Sequence, residues 1–189
     1  MNDYRRSSLS WGVCAAWLGA FVFAVALFGA GLTCAVPLVA FAALCALRLD
    51  RRQALLFVGA LWLADEVVEF ALLHLPLAPA SLGWAALFGV AALAATAVAG
   101  EVARRTPKAA GTVGAFLAAF ATYEGVMWAV SRMVGGARDA FGVGILGQVF
   151  ALNAVTFAAL LVVGALSARS GVLSSLSGKT PYAPRRRAA

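Results

Sequence analysis

The sequence predicts an all-α polytopic membrane protein in which six transmembrane helices form one bundle and both termini are cytoplasmic. Of the 189 residues, 63% are hydrophobic and the mean hydropathy is +0.91, whereas a soluble domain has about 45–50% apolar residues. Only 12% are charged, about half the usual fraction. The apolar residues fall into six stretches, and Arg and Lys cluster after the second stretch, after the fourth and at both ends of the chain, which is the pattern expected when loop charges orient membrane helices.

The limits of the six predicted helices follow from the lengths of the apolar stretches and from the residues that interrupt them. A bilayer core requires about 20 residues per helix. Pro37 lies in the first turns of the short second helix, where proline is tolerated. Pro76 and Pro79 break the chain after the third helix, and Gly135-Gly136 end the fifth. The predicted helices are 11–28, 32–47, 54–75, 82–102, 110–134 and 140–167, between a cytoplasmic N-terminus at 1–10 and a flexible basic tail at 168–189.

The placement of basic residues predicts the orientation of these helices. With the N-terminus inside, all of the 15 Lys and Arg residues except Arg132 and Arg138 fall in cytoplasmic segments, as the positive-inside rule requires. Merging the first two helices would place Arg48, Arg51 and Arg52 outside. We therefore expect a multi-pass protein of the bacterial inner (plasma) membrane. The net charge of +7 reflects this topology, so the expected partner is the lipid bilayer and not nucleic acid.

Four acidic residues lie within the apolar stretches, with no Lys or Arg at the same depth. Asp65, Glu66 and Glu69 belong to the third helix and Glu124 to the fifth. An ionised side chain at mid-bilayer costs roughly 2.5–3.5 kcal/mol on insertion scales. We therefore expect these groups to face the bundle interior and to be protonated, hydrated or paired with a cation that the chain does not supply. The cluster is a candidate site for a proton or a small cation.

Aromatic and amide side chains accompany the acids. Trp62 precedes Glu66 by four residues and Trp128 follows Glu124 by four, so each pair shares a helix face. Aromatic rings at such a site can attract an organic cation. The predicted ligand-binding residues are Glu66, Glu69, Glu124, Asp65, Asn153, Trp62, Trp128 and Tyr123. The candidates for a metal site are Glu66, Glu69, Glu124 and His74.

Structural roles are the alternative for each of these residues. The acids can be protonated and hydrogen-bonded to Asn153, Tyr123 or backbone carbonyls. Asn153 can join two helices, and His74 can be an interfacial residue. The sequence has no phosphate-binding loop and no H-E-x-x-H, no G-x-S-x-G elbow, and a single histidine, which cannot ligate a haem on both sides. We therefore expect no enzymatic activity and no cofactor. An odd number of cysteines in apolar stretches argues against a disulfide framework.

In its architecture the chain resembles the substrate-binding (S) component of energy-coupling-factor transporters. The likeness lies in the length, the six helices, the cytoplasmic termini and the four-residue spacing of Ala16 and Ala20 in the first helix. The resemblance implies capture of a vitamin or metal ion from outside. It also implies a separate coupling protein and ATPase, contacted through the first helix.

On that resemblance, the site residues take defined roles. The three glutamates would contact the cation or polar ligand, Asn153 would orient it, and Trp62 and Trp128 would form the walls. The competing hypothesis is a membrane-complex assembly or scaffolding protein in which the buried acids fix the register of the helices.

Overall fold

The computed structural model describes residues 37–72, 74–134 and 142–169. Helices account for 91% of these residues, with no strand among them, which confirms the predicted all-α class for this part of the chain. The predicted first helix at 11–28, with its Ala16–Ala20 spacing, and the basic tail beyond residue 169 lie outside the described residues. The helices are α1 (Leu38–Arg48), α2 (Arg51–Val67) continued by a π-helical turn at Val68–Leu72, α3 (Pro79–Arg105), α4 (Lys108–Val134) and α5 (Val143–Arg169).

Three of these helices are long and apolar enough to cross a membrane: α3, α4 and the segment Val143–Leu166 of α5. The helix α1 is apolar but has only 11 residues. The acid-bearing α2 has 17 residues before its π-helical turn. By length and composition, the described residues thus support a membrane protein with three candidate spans.

The ends of α2 and α3 are set by capping residues. Asp50 precedes α2, and its Oδ1 accepts a hydrogen bond from the Gln53 backbone N–H at 2.9 Å, which satisfies one of the unpaired N–H groups at a helix start. Pro79 lies in the first turn of α3, where its fixed φ suits a helix start. Pro79 therefore begins this helix, whereas the sequence analysis treated it as part of the break and started the helix at residue 82.

The short α1 lies at the centre of the described bundle and packs against α2, α3, α4 and α5. Its inner face is rich in alanine, which lets the neighbouring helices approach closely. One core cluster joins α1 to α3, α4 and α5, and a second joins α1 to α2 and α3. The fully buried alanines of the first cluster are Ala40, Ala42, Ala43, Ala95, Ala99, Ala115 and Ala119.

The basic residues of the described loops collect at one end of the bundle, called here the basic end. Arg51 at the start of α2 and Arg104 near the end of α3 line the same groove. At 1.5 Å per residue, Glu66 lies about 22 Å along α2 from this end and Glu124 about 24 Å along α4. The acids of the two helices therefore lie at the same depth. The members of the basic end are Arg48, Arg51, Arg52, Arg104, Arg105 and Lys108.

Candidate functional site

The acids of α2 form a compact group on the side of the helix that faces the bundle. Asp65 is 8% exposed and Glu66 7% exposed, while Glu69, in the π-helical turn, is partly buried. Asp65 interacts electrostatically with both glutamates. Three ionised carboxylates in this position would repel one another with little solvent to screen them, so the group favours a bound proton or cation.

Trp62 attaches this acidic group to the neighbouring helix α3. Its indole N–H donates to Glu66 Oε1 and to the backbone carbonyl of Ala85, both at 2.9 Å. The ring also lies directly on Gly89, because a Cβ added there would come within 2.6–2.9 Å of three indole carbons. The sequence analysis assigned Trp62 as a wall of a ligand site. In the structure it donates a hydrogen bond to Glu66 and contacts α3 at Ala85 and Gly89, and its role as a wall stays a prediction.

The second carboxyl oxygen of Glu66 has no such partner. Oε2 is buried and accepts no hydrogen bond from the described residues. A buried polar atom without a partner costs about 1–3 kcal/mol, and each such atom in a folded protein requires an explanation, such as a functional role or an unseen ion. Within the described part of the chain, Glu66 Oε2 is therefore the position where a proton or a cationic ligand would gain most.

Tyr123 connects the acids of α2 with Glu124 of α4. Tyr123 and Glu124 are partly buried, and Tyr123 packs against both core clusters. Its phenol interacts electrostatically with all four carboxyl groups. The acid-bearing helices α2 and α4 do not pack along each other in the described structure, because α1 and α3 lie between them. Tyr123 is therefore within range of the charges of both acidic groups, and no hydrogen bond joins carboxyl groups among the described residues.

Trp128 occupies a different environment from Trp62. Its side chain is 51% exposed, and the guanidinium carbon of Arg132 lies 5.4 Å from its ring centroid, within the range of a cation–π contact. Arg132 forms no salt bridge with any of the four acids in the described part of the chain. Trp128 and Arg132 thus form their own pair at the bundle surface, and Arg132 leaves the acids without a counter-ion.

Asn153 of α5 holds the start of α1. It is 3% exposed, its Oδ1 accepts from the Ala40 backbone N–H at 3.2 Å, and its Nδ2 donates to the Val149 carbonyl at 3.0 Å. The N-cap residue of α1 is Pro37, which offers no side-chain cap although its carbonyl accepts from the same Ala40 N–H at 3.0 Å. Asn153 therefore adds a side-chain acceptor from another helix. This is the helix–helix role that the sequence analysis left open beside a ligand role. No hydrogen bond joins Asn153 to an acid among the described residues.

His74 follows the π-helical turn and is exposed. It has a φ of 55°, and the next residue, Leu75, donates its N–H to the Glu69 carbonyl at 3.2 Å. A left-handed residue with a backbone bond of this kind is a common way to end a helix. In the ranges described, no three His, Cys, Asp or Glu side chains form a group that could hold a metal ion. The metal candidates Glu66, Glu69, Glu124 and His74 are therefore not assembled as a ligand set.

Two residues of the site were absent from the sequence analysis. Ala85 supplies its carbonyl to Trp62 and Gly89 supplies the space for the ring. Their spacing of four residues is the small-residue pattern of close helix contacts, so a search of α3 for that pattern would have found them. Comparisons with protein-family models, curated proteins and solved structures find no match.

Proposed function

We propose that this chain is a transport-related protein of the bacterial inner membrane, with six spans and both termini cytoplasmic. Its site binds a small cationic or polar solute, or protons, at the carboxylate cluster formed by residues of α2 and α4. The observation that carries the proposal is the buried Glu66, whose Oε2 has no hydrogen-bond partner among the described residues. Asp65, the preceding residue, is buried to a similar extent. A positive guest would offset both the desolvation of these groups and their mutual repulsion.

An organic cation fits the surroundings better than a bare metal ion. The described residues form no group of three metal-ligating side chains, whereas Tyr123 lies within electrostatic range of all four carboxyl groups. A phenol ring beside carboxylates suits a substituted ammonium group through cation–π attraction. The resemblance to the S components implies a vitamin or a metal ion, and of these a vitamin-like cation fits the described residues better.

Ligand-dependent thermal stability of the purified full-length protein tests this function. The probes are tetramethylammonium and thiamine as organic cations, and Mg²⁺, Co²⁺ and Ni²⁺ as metal ions. We expect an organic cation to raise the unfolding temperature, and Glu66→Gln and Glu124→Gln to abolish that rise. Glu101→Gln is the matched control, because Glu101 is paired with Arg104 and Arg105 at the basic end. A response that survives in both site variants would contradict the proposal.

Topology and partners have their own tests. Reporter fusions at Pro79 and Gly136 are expected to report the outside, and fusions at Arg52 and Lys108 the inside. A reporter found on the opposite side of the membrane at any one of these four positions would contradict the six-span topology. If the likeness to the S components extends to function, a coupling protein and an ATPase should co-purify with the full-length chain, and bulky substitutions at Ala16 and Ala20 should disrupt that association.

A scaffolding role is the second candidate, and the Trp62 hydrogen bonds favour it. The indole N–H joins Glu66 to the Ala85 carbonyl, so Glu66 also fixes α2 against α3. Two substitutions separate the candidates. Glu66→Gln keeps an acceptor for Trp62 and removes the charge, whereas Trp62→Phe removes the donor and keeps the carboxyl group. Loss of function only in Glu66→Gln supports solute or proton binding, and loss only in Trp62→Phe supports scaffolding.

A further inference from the structure

A groove opens at the basic end between α1, α2 and α3. Its empty space of about 280 Å³ includes open solvent, and the enclosed part has room for about one water molecule. Arg51 and Arg104 line it together with residues that are mostly small or apolar. These other lining residues are Ala46, Leu49, Ala54, Leu55, Thr96, Ala97 and Gly100.

The two arginines that flank the groove come from different helices. Arg51 is the first residue of α2, and within the described residues it has no acidic partner. Arg104 belongs to the last turn of α3. Its Nη1 would lie 3.6 Å from a Cβ placed on Gly100, a groove residue. The Arg104 guanidinium therefore lies across the groove wall.

The acids that the structure describes near this end of the bundle do not neutralise it. Glu101 divides one negative charge between Arg104 and Arg105, and Asp50 is engaged in capping α2. The basic residues outnumber these two acids. Excess positive charge at the opening of a small, mostly apolar groove suits an anionic headgroup that lies at the opening, with its apolar body outside the groove.

We propose that this groove binds the phosphate group of an anionic phospholipid, with Arg51 and Arg104 as its ligands. Guanidinium groups bind phosphate in a bidentate manner, and basic pockets between helices at the membrane surface bind anionic lipid headgroups. Free phosphate shares this chemistry. The lipid is favoured because the partly exposed Leu55 lines the groove and because α3 is long and apolar enough to cross a membrane. The inference is independent of the carboxylate site.

Paired double variants of the full-length protein test the assignment. Arg51→Gln/Arg104→Gln removes both groove arginines. Arg52→Gln/Arg105→Gln removes the same charge from the adjacent positions on the same helices, which do not line the groove. Retention of phosphatidylglycerol is measured by native mass spectrometry after exchange from vesicles of phosphatidylglycerol and phosphatidylcholine. We expect the groove variant to lose phosphatidylglycerol by about tenfold or more, and the control variant to retain it.

Two further measurements identify the source of the phosphate and separate loss of binding from misfolding. Arg51→Lys/Arg104→Lys keeps both charges without the planar fork, and we expect retention between that of the wild type and the glutamine variant. Equal losses in the groove and control variants, or full retention in both the glutamine and lysine groove variants, would overturn the proposal. Displacement of phosphatidylglycerol by millimolar inorganic phosphate would assign the groove to free phosphate and overturn the lipid assignment.

Discussion

The basic end and the buried acidic site place charged residues in opposite ways. At the basic end, Glu101 is paired with Arg104 and Arg105, and all three side chains are at least 40% exposed. About 21–22 Å along α2, Asp65 and Glu66 are less than 9% exposed and have no basic partner in the described structure. The exposed ion pairs at the basic end need no bound ligand, because solvent and dissolved counter-ions surround them. The buried acidic site is stable only with a proton, a cation or a precise set of neutral hydrogen bonds.

The same contrast extends to packing. Around Glu66 the helices are held by a tryptophan ring pressed on a glycine, and a change of one methyl group must be felt there. At the basic end, a Cβ added to Gly100 would meet only the flexible Arg104 side chain and the Ala46 methyl group, both at ordinary contact distances. Substitutions of the same kind in the two regions should therefore differ in effect, which makes the comparison testable.

The largest expected difference comes from two glycines of α3. Gly89→Ala should lower the free energy of unfolding by about 1–3 kcal/mol, because the new Cβ overlaps the Trp62 ring and overpacking forces the helices apart. Gly100→Ala should be neutral or stabilise the protein by up to about 1 kcal/mol, because alanine is the better helix former. Unfolding is followed by circular dichroism at 222 nm in detergent. Equal effects of the two changes would remove the packing contrast.

A second difference concerns the cap that joins α5 to α1. Asn153→Leu should cost about 1 kcal/mol of unfolding free energy, because the Ala40 N–H loses its side-chain acceptor and keeps only the Pro37 carbonyl. Gln148→Ala, at an exposed position on the same helix, is the control and should change stability by less than about 0.5 kcal/mol. If Asn153→Leu is as well tolerated as the control, α1 does not depend on this hydrogen bond.

The third test removes the donor that Glu66 and Ala85 share. Trp62→Phe should destabilise the protein by about 1–3 kcal/mol, because both acceptors lose the indole N–H and Glu66 keeps two unpartnered oxygens. Trp84→Phe on α3 is the matched control, since the contact of Trp84 in the described structure is a tilted ring pair with Phe88. A smaller loss in Trp62→Phe than in Trp84→Phe would show that the ring matters and its N–H does not.

The smallest effect is expected at the basic end. Glu101→Gln should leave the unfolding midpoint almost unchanged, because exposed ion pairs contribute little. Any difference from the wild type should shrink as salt is raised from low to physiological concentration, since added ions screen exposed charges. A large, salt-independent loss of stability in this variant would mean that the basic end is as tightly organised as the buried site.

The sequence predicted the all-α class because hydropathy and loop charge depend on composition and order alone. The helices over 82–102, 110–134 and 140–167 lie where α3, α4 and α5 are found, within about one turn at each end. The burial of Asp65 and Glu66 also agrees with the expectation that acids in apolar segments face the interior. These features require no knowledge of which helices are neighbours.

The partners of the site residues did require that knowledge. Nothing local to α2 indicates that Trp62 bonds to the Ala85 carbonyl, because the acceptor lies 23 residues further along the chain. The same holds for Asn153, whose acceptor oxygen serves an N–H 113 residues away. The π-helical turn at Val68–Leu72 was also absent from the prediction, since a single widened turn leaves little trace in the hydrophobic period.

The close approach of Trp62 and Gly89 has an evolutionary consequence. Because the indole occupies the space that any side chain at position 89 would need, a substitution at one of the two positions requires a compensating change at the other. Related chains that keep a large ring at position 62 should therefore keep glycine at position 89. Chains that accept alanine or serine at 89 should have exchanged the ring for a smaller residue.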